Sequence, residues 1–107
     1  MEEEIKKAWI TGLRSGDYSQ CRGKIVDGAG GHCCLAVLGK TVGFTIDIEA
    51  EQFVEDKKFP VYEDDGSPYP SLIKFGLTSE LQFSFIDMND DENMSFDQIA
   101  NVIEKQL

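Results

Sequence analysis

Residues 28–38 read GAGGHCCLAVL, a glycine-rich turn that leads directly into an unbroken apolar run. Such a run is typical of a segment that is buried on all sides. We interpret it as a short buried helix that starts near His32. A buried strand is the alternative, because periodicity does not separate the two at this length.

Amphipathic helices are predicted at both ends of the chain. Residues 2–14 carry apolar residues at helical spacing, and Ser15-Gly16 ends this helix. Near the C-terminus, Ser95 and Gln98 have the spacing of a capping box at the start of another helix. The two apolar stripes consist of Ile5, Ala8, Trp9 and Leu13, and of Phe96, Ile99, Ile103 and Leu107.

Shorter elements are predicted between these helices. Apolar and polar residues alternate from Phe44 to Glu49, the pattern of a half-buried strand. In residues 81–85, LQFSF, the same alternation favours a strand, and a helix with Leu81, Phe85 and Met88 facing inward is the alternative. Further predicted elements are strands at Gly23–Asp27 and Phe59–Glu63, and a short helix at Pro70–Phe75 that is closed by Gly76.

A chain of 107 residues supports one modest hydrophobic core and not a second. We therefore expect residues 1–107 to form a single α+β domain. In this fold the terminal helices and the short central helix pack on a small, mostly antiparallel sheet.

The chain is strongly acidic, with 20 Asp and Glu against 10 Lys and Arg and a formal net charge of −10. Residues 1–24 hold five basic and four acidic residues, a net of +1, so the rest carries −11. Nucleic acid and anionic membranes repel such a chain, and we expect it to bind neither directly. The expected partner is a protein with a basic surface, and a small anionic ligand near the N-terminal segment is the alternative.

The cysteines and the N-terminal residues indicate in which cellular compartment the protein is expected. Cys21, Cys33 and Cys34 are odd in number and two are adjacent, a poor disulfide framework that fits a reducing compartment. Glu2, Glu3 and Glu4 stand where a signal peptide would carry positive charge. Apolar runs also fall short of the roughly 18 residues that a membrane span needs. We expect a cytoplasmic protein.

The residues after the glycine turn suggest thiol chemistry. A cysteine in the first turn of a helix can be a nucleophile, because the helix dipole lowers the pKa of its thiol. Cys34 and Cys33 are the candidate nucleophiles, and His32 and Asp90 are candidate assisting groups. The alternative is that the cysteines fill core space as small apolar residues.

Zinc binding is a second use of the same residues. Zinc would need Cys21 and His32 as further ligands, but their spacing fits no standard structural site, and we expect no metal.

Two further motifs suggest ligands. The glycine turn could cradle an anion with help from Arg14, Arg22 and Lys24, although it lacks the P-loop pattern. Residues 87–95 resemble the start of a calcium-binding loop, but Glu92 replaces its glycine and Gln98 its final glutamate. We expect no cofactor.

The chain resembles a family of small phage and prophage proteins without assigned function. The resemblance rests on W-I-x-x-L-R-S-G-x-Y-x-Q in residues 9–20, C-C-L-x-V-L in residues 33–38, M-N-D in residues 88–90 and S-F-x-x-I-A in residues 95–100. It implies a phage origin and a compact fold that links three helices. The candidate binding residues are Arg14, Tyr18, Gln20, Asn89 and Asp90, which match the family pattern, together with Arg22.

Three functions remain open from the sequence. The leading hypothesis is a non-catalytic phage protein that binds and modulates a host protein, either a defence nuclease or the transcription machinery. One alternative is a cysteine-dependent hydrolase or transferase. The other is a protein that sequesters an anionic small molecule such as a nucleotide.

Overall fold

A computed structural model describes residues 1–49, 52–54 and 69–107 of the chain. The helices predicted at both ends and in the centre are confirmed, and a further helix precedes the last one. The elements in chain order are α1 (Glu3–Arg14), β1 (Ser19–Gln20), β2 (Gly31–His32), α2 (Cys34–Thr41), β3 (Thr45–Asp47), β4 (Gln52–Val54), a 3₁₀ helix (Pro70–Phe75), α3 (Ser79–Asp90) and α4 (Phe96–Gln106).

The central helix α2 is the core of the molecule. All of its residues from Cys34 to Gly39 are buried, as the apolar run predicts. Helix α1 packs against α2 and α4, and α3 packs against α2. The Trp9 indole N–H donates a buried 2.9 Å hydrogen bond to the carbonyl oxygen of Cys34, and the Trp9 ring meets Phe85 edge to face. Trp9 of α1 thus contacts both the first turn of α2 and Phe85 of α3.

The strands are short and form two separate pairs. Strands β1 and β2 are parallel, with Ser19 opposite Gly31 and Gln20 opposite His32. Strands β3 and β4 are antiparallel. The strand that the alternation at Phe44–Glu49 predicts is therefore confirmed for Thr45–Asp47. The strand predicted at Gly23–Asp27 is reduced to an antiparallel bridge between Val26 and His32. The domain is therefore α+β with small sheets, as expected, and the predicted strand at residues 59–63 lies outside the described residues.

The predicted strand at residues 81–85 is wrong, because these residues lie within α3. Thr78 caps the helix by accepting a hydrogen bond from the backbone N–H of Leu81. The buried residues of α3 are Gln82, Phe85 and Asn89, at helical spacing, whereas Phe83 is exposed. The alternation of Leu81, Phe83 and Phe85 thus crosses two faces of a helix rather than following one face of a strand.

Local signals position the last elements correctly. The predicted capping box is present, with the Ser95 side chain bonded to the Gln98 N–H and the Gln98 side chain bonded to the Ser95 N–H. The 3₁₀ helix ends at Gly76, whose φ of 90° belongs to the left-handed region that favours glycine. Within the described residues, no helix is long and apolar enough to cross a membrane.

Gly39 provides a test of the packing around α2. A Cβ atom at this position would collide with the ring of buried Phe53, because the ring packs directly on the helix backbone. We predict that Gly39→Ala lowers the free energy of unfolding by about 1–3 kcal/mol, the usual cost of overpacking a core. Urea unfolding measures this, with Lys40→Ala at the exposed neighbouring position as control. Equal stability of the two variants would contradict the packing described for α2.

Candidate functional site

Buried Asn89 is the centre of a polar cluster at the C-terminal end of α3. Its side-chain oxygen accepts a 2.9 Å hydrogen bond from the Gln20 amide. Its side-chain N–H groups donate to the Cys21 carbonyl oxygen and to the Asp90 carboxylate, both at 2.8 Å. Both ends of the Asn89 amide are therefore used within the protein.

The same cluster includes the turn between α3 and α4. The Gln20 amide also donates a 2.8 Å hydrogen bond to the carbonyl oxygen of Met94, and the Arg22 guanidinium donates to the same oxygen at 3.3 Å. We call Gln20, Arg22, Asn89 and Asp90 the Asn89 cluster. It fastens the segment after β1 to the α3–α4 turn, and four of the six predicted binding residues belong to it.

The other two predicted binding residues lie elsewhere. The Arg14 guanidinium bonds to Glu104 at 2.8 Å and to Asn101 at 2.7 Å, which joins the end of α1 to α4. The Tyr18 ring stands edge-on to the His32 ring, with a centroid distance of 5.1 Å. The structure therefore divides the predicted residues into three places, each with its own contacts inside the protein.

The adjacent cysteines lie in the core. Cys33 is the N-cap of α2, and its sulfur accepts a 3.4 Å hydrogen bond from the backbone N–H of Ala36. Burial raises the pKa of the Cys33 thiol to about 12. Cys34 is fully buried, its thiol lies 3.5 Å from the Phe85 carbonyl oxygen, and burial raises its pKa well above the usual value. Both thiols keep their protons at neutral pH, which supports the role of small core residues over that of nucleophiles.

His32 is engaged by the backbone rather than by a thiol. Its Nδ1 atom lies 2.9 Å from the Gly30 carbonyl oxygen, and its ring contacts Tyr18. A general base must reach the proton that it removes. These two contacts hold the His32 ring at the glycine turn and against Tyr18, and neither of them involves a thiol.

The glycine turn already holds an anionic group of its own. The Asp27 carboxylate accepts 2.8 Å hydrogen bonds from the backbone N–H groups of Ala29 and Gly31. These two bonds are the main reason that the pKa of Asp27 lies below its usual value. Sequence reasoning missed this residue, although an Asp directly before Gly-x-Gly is a recognised signal for a side-chain-stabilised turn. The carboxylate takes the position that was expected for an external anion.

The resemblance of residues 87–95 to a calcium loop is not matched by the backbone. Asp87 and Asn89 are residues of α3, since the helix continues to Asp90, and Asn89 is buried in the cluster. Across the described parts of the chain, no group of three or more His, Cys, Asp or Glu side chains could hold a metal ion.

One face of α3 exposes an aromatic ring among carboxylates. Half of the Phe83 side chain is exposed, a fraction of 50%. Glu80 and Asp87 lie three residues before and four residues after it, which places them next to the ring on the helix surface. Asp91 follows one turn beyond Asp87 and is also exposed. We call Glu80, Phe83, Asp87 and Asp91 the acidic face of α3.

These features define a small α+β domain whose predicted polar and thiol residues are mainly engaged in holding the fold together. The chain belongs to the family described as Domain of unknown function (DUF8296), whose model matches residues 1–74. That match covers α1, α2 and the strands, and it ends before α3. No curated protein and no solved structure matches the chain.

The structural role of the Asn89 cluster can be tested directly. Asn89→Ala removes one of the two partners of the Gln20 amide and the side-chain donor to the Cys21 carbonyl, and an unpaired buried group costs about 1–3 kcal/mol. We predict a loss of this size in the free energy of unfolding. The control is Asn101→Ala, which removes an exposed amide that bonds Arg14 and should change stability by about 0.5 kcal/mol or less. If the two variants are equally stable in urea, the cluster does not hold the fold.

The Asp27 turn gives a pH-dependent prediction. The folded pKa of Asp27 lies below the usual 3.8, so its ionised form stabilises the fold above that pH. This stabilisation is lost as the pH falls through the folded pKa. Asp27→Asn keeps a side-chain oxygen but has no charge to titrate, so its deficit against the wild type should shrink on acidification. Urea midpoints across this range test it, with Asp17→Asn as the charge control, and a deficit independent of pH would contradict it.

Proposed function

We propose that this protein is non-catalytic and acts by binding and modulating another protein, whose basic surface docks on the acidic face of α3. The observation that carries the proposal is the half-exposed Phe83 ring between Glu80 and Asp87. Phe83 is not among the residues that form the hydrophobic core, whereas neighbouring Phe85 is buried against Trp9. An exposed aromatic ring is the type of side chain that anchors protein interfaces.

The charge around Phe83 defines the chemistry of the partner. Residues 79–107 contain seven acidic residues and one basic residue, Lys105, a net charge of −6. Acidic groups around an apolar anchor attract a basic surface and raise the rate of encounter. The expected partner site is therefore an apolar pocket that accepts the ring and is surrounded by Lys and Arg.

The contacts elsewhere in the molecule support a binding role over a catalytic one. The thiols of Cys33 and Cys34 are buried and keep their protons at neutral pH, so neither is exposed to a dissolved substrate as a cysteine-dependent hydrolase or transferase requires. Arg14 and Arg22 bond to different parts of the protein, to Glu104 and to Met94, and Asp27 occupies the glycine turn. Because these groups already have partners within the protein, the contacts do not favour the alternative in which Arg14, Arg22 and the glycine turn bind an anionic nucleotide.

A biological setting follows from the sequence resemblance to phage and prophage proteins. In that setting the protein acts in the host cytoplasm, and its partner is a host defence nuclease or a component of the transcription machinery. Both classes carry basic surfaces that bind nucleic acid, the type of surface to which the acidic face of α3 is complementary. The phage origin is part of this proposal and rests on the resemblance alone.

The proposal is tested by affinity capture from bacterial lysate with tagged wild type and two variants. Phe83→Ala removes the proposed anchor, and Ile48→Ala is the matched control because Ile48 is an equally exposed apolar residue, at 54%. We predict a stoichiometric partner that is retained by Ile48→Ala and bound at least about tenfold more weakly by Phe83→Ala, a loss of about 1.4 kcal/mol. Binding should also weaken as salt rises, because exposed charges are screened.

Two results would count against the proposal. One is the recovery of no stoichiometric partner at low salt. The other is a partner whose affinity is the same for Phe83→Ala and the wild type. In the second case the protein binds through a different surface.

A further inference from the structure

Cys21 and Cys33 come together through the register of the parallel strand pair. Ser19 lies opposite Gly31 and Gln20 opposite His32, so the next step along both chains brings Cys21 level with Cys33. The pairing continues at this point, because the Cys21 N–H donates a 2.9 Å hydrogen bond to the His32 carbonyl oxygen. Residues level with each other on neighbouring strands are about 5 Å apart, within the range that a disulfide spans.

The side chains of this pair belong to one face of the strands. Successive side chains on a strand alternate between faces, so Cys33 points to the same side as position 31. A Cβ atom built on Gly31 would lie 2.8 Å from the Cys21 Cβ, which shows that the Cys21 side chain is on that side as well. Glycine at position 31 leaves this space free for the Cys21 side chain.

The surroundings of the two sulfur atoms differ in a way that suits a stepwise reaction. Cys21 is partly exposed and therefore accessible to a dissolved oxidant, whereas Cys33 is buried. Burial is the main cause of the raised pKa of Cys33, and the Asp90 carboxylate and the Cys21 sulfur, when it is ionised, raise this pKa further. Cys34, by contrast, lies within α2 with its thiol at the Phe85 carbonyl oxygen.

We propose that Cys21 and Cys33 form a reversible disulfide when the protein meets a peroxide. In the first step the Cys21 sulfur attacks one peroxide oxygen, which gives a sulfenic acid and releases water from hydrogen peroxide. The Cys33 sulfur then displaces the sulfenic hydroxyl as a second water, and the S–S bond forms. Two thiols are oxidised, one hydrogen peroxide is reduced, and a dithiol reductant reverses the change.

The disulfide would connect the segment after β1 to the N-cap of α2. The Cys21 carbonyl also accepts the hydrogen bond from Asn89, so the crosslink would tie the Asn89 cluster to the central helix. Burial, followed by the nearby charges of Asp27 and Asp90, raises the pKa of the Cys21 thiol. Oxidation is therefore expected to be slow at neutral pH and faster as the pH rises.

Mass spectrometry of the intact, folded protein tests this proposal. The reduced protein is treated with hydrogen peroxide at mildly alkaline pH, blocked with a maleimide and digested with trypsin without reduction. Trypsin separates the two thiols, because Cys21 lies in the peptide from Ser15 to Arg22 and Cys33 in the peptide from Ile25 to Lys40. We predict a linked pair of these peptides, which disappears when the sample is treated with dithiothreitol.

Three variants identify the sulfur atoms. Cys21→Ser and Cys33→Ser should abolish the link, and serine at position 33 keeps a good N-cap for α2. Cys34→Ala should retain the link, since its sulfur is not part of the pair. Oxidised wild type should unfold at a higher temperature than reduced wild type, whereas Cys21→Ser should show no such shift.

Two outcomes would overturn the proposal. In one, the wild type yields no linked peptides although Cys21 carries oxygen adducts after treatment. In the other, the link persists in Cys33→Ser, which would assign the second sulfur to Cys34. Neither outcome depends on the identity of the binding partner.

Discussion

The structure depends on the burial of one short helix, α2, over its residues 34–39. Every residue of α2 from Cys34 to Gly39 is buried, so the neighbouring elements have to cover the whole surface of that segment. They must also supply partners for its backbone. The Cys33 sulfur accepts a hydrogen bond from the backbone N–H of Ala36 in the first turn. The Trp9 indole N–H donates a hydrogen bond to the Cys34 carbonyl oxygen. Burial of the apolar side chains drives this arrangement, and the two polar contacts fix where α1 and the glycine turn meet the helix.

Those parts of the fold that are encoded in local sequence could be predicted. The stripes of α1 and α4 and the capping box at Ser95 need only neighbours in sequence, and the structure has them. The 81–85 segment was predicted incorrectly because alternation over five residues also occurs in a helix with one exposed aromatic. Thr78 followed by Glu80 in the first turn was the available signal for a helix start. In physical terms, burial of Phe85 against Trp9 decided the outcome, and no pattern within the segment encodes that contact.

The candidate site could be predicted less completely. Family resemblance pointed to Gln20 and Asn89, but their hydrogen bond joins residues 69 positions apart, which spacing in the chain cannot reveal. Chemistry inferred from residue type alone was less informative. Cys33 and Cys34 look like helix-start nucleophiles in sequence, yet burial outweighs the helix dipole and keeps both thiols protonated. In the glycine turn, the N–H groups of Ala29 and Gly31 that could bind an external anion are already bonded to the Asp27 carboxylate.

Together these contacts divide the molecule into a packed interior and an acidic exterior. The polar residues that first suggested chemistry mostly stabilise the interior, whereas the ring of Phe83 lies on the exposed surface of α3. A rigid interior presents such a ring at low entropic cost to a binding partner. The binding role proposed for α3 therefore relies on the stability of α2 beneath it.

Native-state hydrogen exchange of the α2 amides tests this account most directly. The amides of Val37 and Leu38 lie within the buried part of α2, so they should exchange only when the whole protein unfolds. Their exchange free energies should equal the free energy of unfolding measured in denaturant and should be the highest in the chain. If these amides exchange through local opening, with lower free energies than those of α1 and α4, then α2 is not the element on which the fold depends.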